Sequence, residues 1–261
     1  MESKKNLTHP TYQRLYDQSA EHLYATVAER VVAAVLHAWR DGRDAHLVIT
    51  GGRTGLAMAQ AIDLTLFRAT NQGDQGDQND QEFFKKVQSS KLWIWMSDER
   101  FLPLDSEDRS DTHLIAAFTK SANRLHFERV ETPAHLTLAE AASKYAAALD
   151  QQLGTRVRFD AVLLSLGEDG HIASLFPGHG EQLDSLAAAV AIDNSPKPPA
   201  PRVSMGISRL STASAIYIFA LGESKRVALS GLLAGAGAEP VNRLRQSSPD
   251  AQIYFVTDLK I

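Results

Sequence analysis

The sequence predicts an α/β fold, a single domain with a mostly parallel sheet and helices on both faces. Three observations carry this expectation. Short apolar runs of strand length recur along the chain, helical periodicities separate most of them, and glycine or charged residues follow several runs directly. In chain order, Leu23, Val27, Val31, Ala34, Val35 and Ala38 recur at helical spacing, and Gly42 follows as a stop. His46–Thr50 reads as a strand and Leu56–Phe67 as a helix. Leu92–Met96 is the next strand, Leu138–Leu153 the next helix, and Ala161–Leu166 and Ala215–Leu221 are further strands. Lys225–Leu233 is helical, and Ile253–Val256 closes the pattern as a strand.

Two stretches interrupt this alternation. Asn71 to Gln81, NQGDQGDQNDQ, has nothing to bury and is expected to be a flexible polar surface loop inside one domain spanning residues 1–261. Asn194 to Arg202, NSPKPPAPR, is proline-rich and is expected to be stiff and extended.

Composition removes several function classes. The formal net charge of −4 comes from 31 acidic against 27 basic residues, too balanced for a nucleic-acid or membrane-surface partner. With no cysteine, disulfides, thiolate catalysis and Cys-ligated zinc are excluded. The N-terminus has no apolar signal region and no apolar run reaches membrane-span length, so a cytoplasmic protein is expected.

In open α/β sheets, ligands bind beyond the carboxyl ends of the strands. Three clusters fall there. LVIT runs into Gly51-Gly52-Arg53-Thr54-Gly55, LWIWM into Ser97-Asp98-Glu99-Arg100, and VLLSL into the Asp169-Gly170-His171 turn. Glycines before a helix let the backbone approach a ligand, and free N–H groups at a helix start favour an anion. The bland reading is a strand-to-helix turn without a ligand. Arg100 can pair with phosphate or carboxylate, and the bland reading of its segment is a solvated charged loop. His171 has the properties of a general base, with Asp169 to fix its tautomer. Two alternatives stay open at this point: a turn histidine capping the next helix, and a metal site using His171, His179 and Asp169. That spacing matches no common zinc pattern.

The segment FDAVLLSLGEDGHIASLFPGH closely resembles the signature of 6-phosphogluconolactonases, an apolar strand followed by Gly-x-Asp-Gly-His-x-x-Ser-Leu-Phe-Pro. WMSDERFLP is similar to their Asp-Glu-Arg motif, TGGRTG to their glycine loop, and PKPPAPRVSM to their Lys-Pro-Pro-x-x-Arg segment. The four occur in the family's order and span about residues 45 to 225. Arg53 and Gly55 depart from the family's Gly-Gly-Ser-Thr-Pro, and Ser110-Asp111 stands where Ser-Asn is usual. An ionised Asp111 cannot donate a hydrogen bond, so it is not assigned to the substrate.

The resemblance implies a Rossmann-like fold of the sugar-phosphate isomerase/deaminase type. It also implies hydrolysis of 6-phospho-D-glucono-1,5-lactone to 6-phosphogluconate, with no cofactor and no metal. His171 and Asp169 are then the catalytic pair. Gly51, Gly52, Arg53, Thr54, Asp98, Arg100, Lys197 and Arg202 are the substrate-binding candidates. Without the resemblance, Lys197 and Arg202 read as linker charges. A glucosamine-6-phosphate deaminase-like isomerase is the nearest rival. The resemblance implies an acid five positions after the histidine in those enzymes, where this chain has Phe176, and no arginine at the Arg100 position. A sugar-phosphate sensor without turnover is the non-enzyme alternative, disfavoured by the intact His171 and Asp169.

Overall fold

The computed structural model describes residues 12–71, 78–131, 135–154, 158–235 and 239–261. The chain opens with β1 (Tyr12–Tyr16), α1 (Ala20–Arg40) and β2 (Ala45–Ile49). Next come α2 (Gly52–Asn71), α3 (Gln78–Ser89), β3 (Leu92–Met96) and the short β4 (Asp98–Arg100). They are followed by α4 (Ser110–Ala117), β5 (Leu125–Glu128), α5 (Leu138–Leu153) and β6 (Ala161–Ser165). After α6 (Gly180–Leu183), β7 (Ala189–Ile192) and β8 (Arg202–Met205) come α7 (Ile207–Leu210) and β9 (Ala215–Ala220). The chain closes with α8 (Arg226–Leu233), α9 (Glu239–Ser247) and β10 (Gln252–Thr257).

Among the described residues, seven strands form the main sheet in the order β1-β10-β9-β6-β2-β3-β5, with every neighbouring pair parallel. Both faces are covered, which explains why these strands are continuous apolar runs without polar alternation. Successive side chains enter opposite cores. On β6, Val162 and Leu164 pack with α5, α8 and α9, while Ala161 and Leu163 pack with α1, α2 and α4. β9 divides the same way, Ile216 and Ile218 against Tyr217 and Phe219. The expected fold class is the one observed.

Two details differ from expectation. In the polar stretch from Asn71 to Gln81, residues 72–77 lie outside the described residues, while Asn71 ends α2 and Gln78 opens α3. That helix is anchored further along, where buried Val87 joins the α1 side of the core and Lys86 Nζ donates to the Arg40 carbonyl at 3.0 Å. The second difference is a small antiparallel sheet, β4-β8-β7, outside the expected pattern. It is hydrogen-bonded to the end of the main sheet, Met205 N–H to Ser97 carbonyl (2.8 Å) and Ser97 N–H to Ile49 carbonyl (3.0 Å).

The topology places the crevice. From β2 the chain steps outward to β3 and β5, then returns to the other side of β2 for β6 and outward again through β9 to β10. The order therefore reverses between β2 and β6. In such sheets the two connections leave their strands in opposite directions and a crevice opens at the carboxyl ends.

Candidate active site

A cavity of about 300 Å³ occupies that crevice. Thr50, Gly51 and Gly52 reach it from the end of β2, Asp98 and Arg100 from β4, and Leu166, Gly167 and His171 from the end of β6. Lys197 and Arg202 complete it from the proline-rich segment. The three sequence clusters thus meet at one sheet edge.

His171 is held by a turn with little freedom. Gly167 N–H donates to the His171 carbonyl (2.7 Å) and Gly170 N–H to that of Gly167 (3.0 Å). Ala173 adopts φ 51°, a conformation costing a non-glycine residue on the order of 1 kcal/mol. It is held there by the Ile172–Leu175 bridge and by Ser174, whose Oγ donates to Asp98 at 2.6 Å. The His171 side chain is only 14% exposed, and its ring packs on Phe176 with centroids 4.8 Å apart.

Its Nδ1 lies 2.5 Å from Asp169 Oδ1. A carboxylate can only accept, so Nδ1 carries the proton and Nε2 keeps the lone pair. A Cβ at Gly167 would fall 2.0 Å from His171 Nδ1 and 2.5 Å from Asp169 Oδ1, so the pair needs glycine beneath it. Burial lowers the His171 pKa below its ordinary 6.5; Asp169 opposes this and Lys197 adds to it. Asp169 itself is raised by burial, but its hydrogen bond and charge pairing with His171 bring it below its ordinary value.

The bland readings can be checked. The next helix, α6, starts at Gly180 with His179 as its N-cap, so His171 caps no helix. Among the described residues no group of three or more His, Asp or Glu side chains converges as a metal site.

The Asp98–Arg100 segment is a strand and not a solvated loop. Its middle residue, Glu99, is fully buried and accepts N–H groups of Arg100 (2.8 Å), Ser110 (3.1 Å) and Asp111 (2.7 Å). Strand alternation then turns Asp98 and Arg100 the other way, into the cavity. Arg100 Nη1 donates to Ser110 Oγ (2.7 Å) and to the Asp108 carbonyl (3.0 Å). A Cβ on Gly51 would sit 2.2 Å from that Ser110 Oγ, so glycine permits the loop to close on Arg100's partner.

Two candidates fall outside the cavity lining. Arg53 is exposed and lines an adjoining cavity of about 380 Å³, which shares Gly52, Arg100 and Ser110 with the first. Thr54 faces the Tyr24 hydroxyl on α1. Both side chains leave the helix start sideways, and the backbone is what this loop presents to the cavity. The proline-rich segment is bent between Pro196 and Pro199 and not extended, because Ser195 and Arg202 hydrogen-bond across it.

The lining also holds residues that the sequence did not offer as candidates, among them Ser110, Gly167 and Lys225. Gly167 had a legible signal, since it ends the strand run four residues before His171. Lys225 Nζ lies 4.0 Å from Glu168, and burial lowers its pKa. In sequence it looks like the first polar residue of an amphipathic helix.

The chain and its fold are similar to those of known proteins. The chain is 29% identical over 240 residues to a 6-phosphogluconolactonase of Streptomyces coelicolor, covering 87% of this chain and 85% of the relative. A Mycobacterium tuberculosis 6-phosphogluconolactonase is 27% identical over 236 residues, covering 84% of each chain. In fold it is similar to 6-phosphogluconolactonase from Trypanosoma cruzi, with TM-score 0.75, 19% identity and coverage of 95% and 94% of the two chains. The Thermotoga maritima 6-phosphogluconolactonase crystal structure matches with TM-score 0.68 and 22% identity, over 95% of this chain and 99% of that one. With its residues 18–253 matched by the family's model, the chain belongs to the glucosamine-6-phosphate isomerases/6-phosphogluconolactonase family.

Proposed function

We propose that this chain hydrolyses 6-phospho-D-glucono-1,5-lactone to 6-phospho-D-gluconate, the second step of the oxidative pentose phosphate pathway. The observation that carries the proposal is the His171–Asp169 pair: Nδ1 spends its proton on the carboxylate at 2.5 Å, leaving Nε2 as a base beside a cation-lined cavity. A lactone needs no covalent nucleophile. His171 Nε2 takes a proton from water as the water oxygen bonds to C1, and the carbonyl electron pair moves onto its oxygen. The oxyanion then collapses, the C1–O5 bond breaks, and the imidazolium returns its proton to O5. The phosphate is assigned to backbone N–H groups at the start of α2 together with Arg100 and Lys225. Asp98 is assigned to the sugar hydroxyls, since a carboxylate is an acceptor.

The partner in this reading is a small sugar-phosphate lactone and not nucleic acid or a membrane. Among the described residues no helix is long and apolar enough to cross a membrane. A cytoplasmic setting belongs to the same reading, on the cysteine-free composition.

The test is lactone consumption by purified protein, corrected for spontaneous hydrolysis; a rate no faster than spontaneous refutes the reading. Activity is expected to survive exhaustive chelation, and loss on EDTA restored by a divalent ion would refute the metal-free mechanism. Unphosphorylated gluconolactone is expected to be a much poorer substrate. Arg100→Ala should narrow that gap by harming the phosphorylated lactone alone, since a charge-assisted contact contributes ~1.5–3 kcal/mol. Equal losses on both lactones would place Arg100 in the chemistry or the fold instead.

A further inference from the structure

The family resemblance puts Lys197 and Arg202 together as substrate-binding candidates, and the structure separates what they do. Arg202 is buried, and its guanidinium is turned onto the segment that carries Lys197. Nε donates to the Pro199 carbonyl (3.1 Å), and Nη2 to those of Lys197 (3.0 Å) and Pro198 (3.5 Å). Nη1 faces Ser174 Oγ (3.4 Å) and Asp98 Oδ2 (3.8 Å). Most of its donors are therefore engaged within the protein. Ser195 closes the segment from the other side, its hydroxyl accepting from Lys197 N–H (3.2 Å) and donating to the Lys197 carbonyl (3.0 Å).

This double grip fixes the backbone from which Lys197 extends, and its ammonium ends at the histidine pair. Nζ is 3.4 Å from His171 Nδ1 and 4.0 Å from Asp169 Oδ1. Nδ1 carries the proton given to Asp169, so it offers Lys197 no lone pair. The contact between the ammonium and the imidazole is one of charge.

We propose that Lys197 is a positioning residue for the reacting end of the site and not a phosphate ligand: held in place by Arg202 and Ser195, its ammonium disfavours the imidazolium and keeps His171 ready to accept the proton of the attacking water. The same repulsion favours return of that proton from Nε2 to the leaving ring oxygen. The other charged groups around His171 are Asp169 on its own turn, Asp98 on β4, and Arg100, Arg202 and Lys225, which line the same cavity. Glu168 is engaged by Lys225. Among these, Lys197 is the cation placed within 3.4 Å of the ring. Burial and Lys197 lower the His171 pKa together, against Asp169 and Asp98.

The kinetic part of this proposal rests on the lactone-hydrolysis reading, and a direct titration does not. In protein labelled with ¹⁵N-histidine, the His171 resonance is assigned by its loss in His171→Ala and followed against pH. Lys197→Met is expected to raise the His171 midpoint by about one pH unit, and Lys197→Arg to keep it near wild type. Arg202→Lys retains a cation but loses the grip on three carbonyls, so it should reproduce part of the Lys197→Met shift. An unchanged midpoint in Lys197→Met overturns the proposal. In kinetics, Lys197→Met should move the acid limb of kcat/KM upward by the same amount with phosphorylated and unphosphorylated lactone. A loss confined to the phosphorylated lactone returns Lys197 to the phosphate and overturns the proposal. A wild-type protein without lactonase activity overturns the hydrolysis reading alone, and the titration still decides the placement of Lys197.

Discussion

His171→Ala is expected to lower turnover by ~10²–10⁴-fold, the usual cost of removing a general base, while the melting temperature and substrate affinity stay close to wild type. The geometry separates this from a structural role. The ring caps no helix, and the turn's backbone bonds between Gly167, Gly170 and His171 survive the loss of the imidazole. The pH profile is a second readout. The base must be unprotonated, so activity falls as pH drops through the imidazole pKa. Burial, the largest influence, places that pKa below the ordinary 6.5. The acid limb should therefore lie below that of a free imidazole and vanish in the variant. A less stable His171→Ala protein with full turnover per folded molecule would remove His171 from the chemistry and make the sensor reading the leading one.

The largest expected loss of stability lies at Asp111, beside the site. Asp111 and Arg109 are both fully buried. Each carboxylate oxygen of Asp111 accepts from two arginines: Arg109 Nε and Nη2 at 3.0 and 2.5 Å, and Arg129 Nε and Nη2 at 2.9 and 3.0 Å. Arg109 spends its other donors on the Leu102 and Val130 carbonyls, both at 2.9 Å. Asp111→Ala leaves the Arg109 charge buried without a counterion, which costs about 3–5 kcal/mol. In a chain of this size that lowers Tm by on the order of 10 °C. A change below about 1 kcal/mol would show that the network relaxes onto other acceptors.

The pH dependence has a definite sign. Burial raises the Asp111 pKa, but hydrogen bonds and charge from Arg109 and Arg129 outweigh it and bring the value to about 2, from an ordinary 3.8. The folded protein then binds fewer protons than the unfolded chain between those values. This stabilisation is complete above the ordinary value and is lost as pH falls through 3.8 towards 2. Its functional consequence runs through neighbours: Asp111 N–H and Ser110 N–H hold Glu99, and Ser110 Oγ holds Arg100.

Several features were legible in the residues themselves. Strands covered by helices on both faces become unbroken apolar runs, so β2, β3, β6, β9 and β10 were each found within two residues at either end. The start of α5 was marked locally, since Thr137 and Glu140 form the reciprocal cap that their spacing allows. The Asp169-Gly170-His171 turn was legible for the same reason, because partners two residues apart are set by local backbone geometry. The fold class and the meeting of three strand-end clusters followed from these signals together.

The tertiary structure decided what depends on partners distant in the chain. β1 reads Tyr-Gln-Arg-Leu-Tyr and is mostly half-buried or exposed, so it becomes a strand by pairing with β10 at the other end of the chain. The three residues of β4 look like a solvated charged loop until β8, about a hundred residues later, pairs with them and buries Glu99. Asp111 gained its second arginine from Arg129, Arg202 spent its donors on the carbonyls of its own segment at the cavity wall, and Lys225 entered the lining unannounced. The physical reason is the same each time. Periodicity and caps report how a residue meets solvent and its near neighbours, whereas the charge partner of a buried side chain is chosen by packing after distant segments have met.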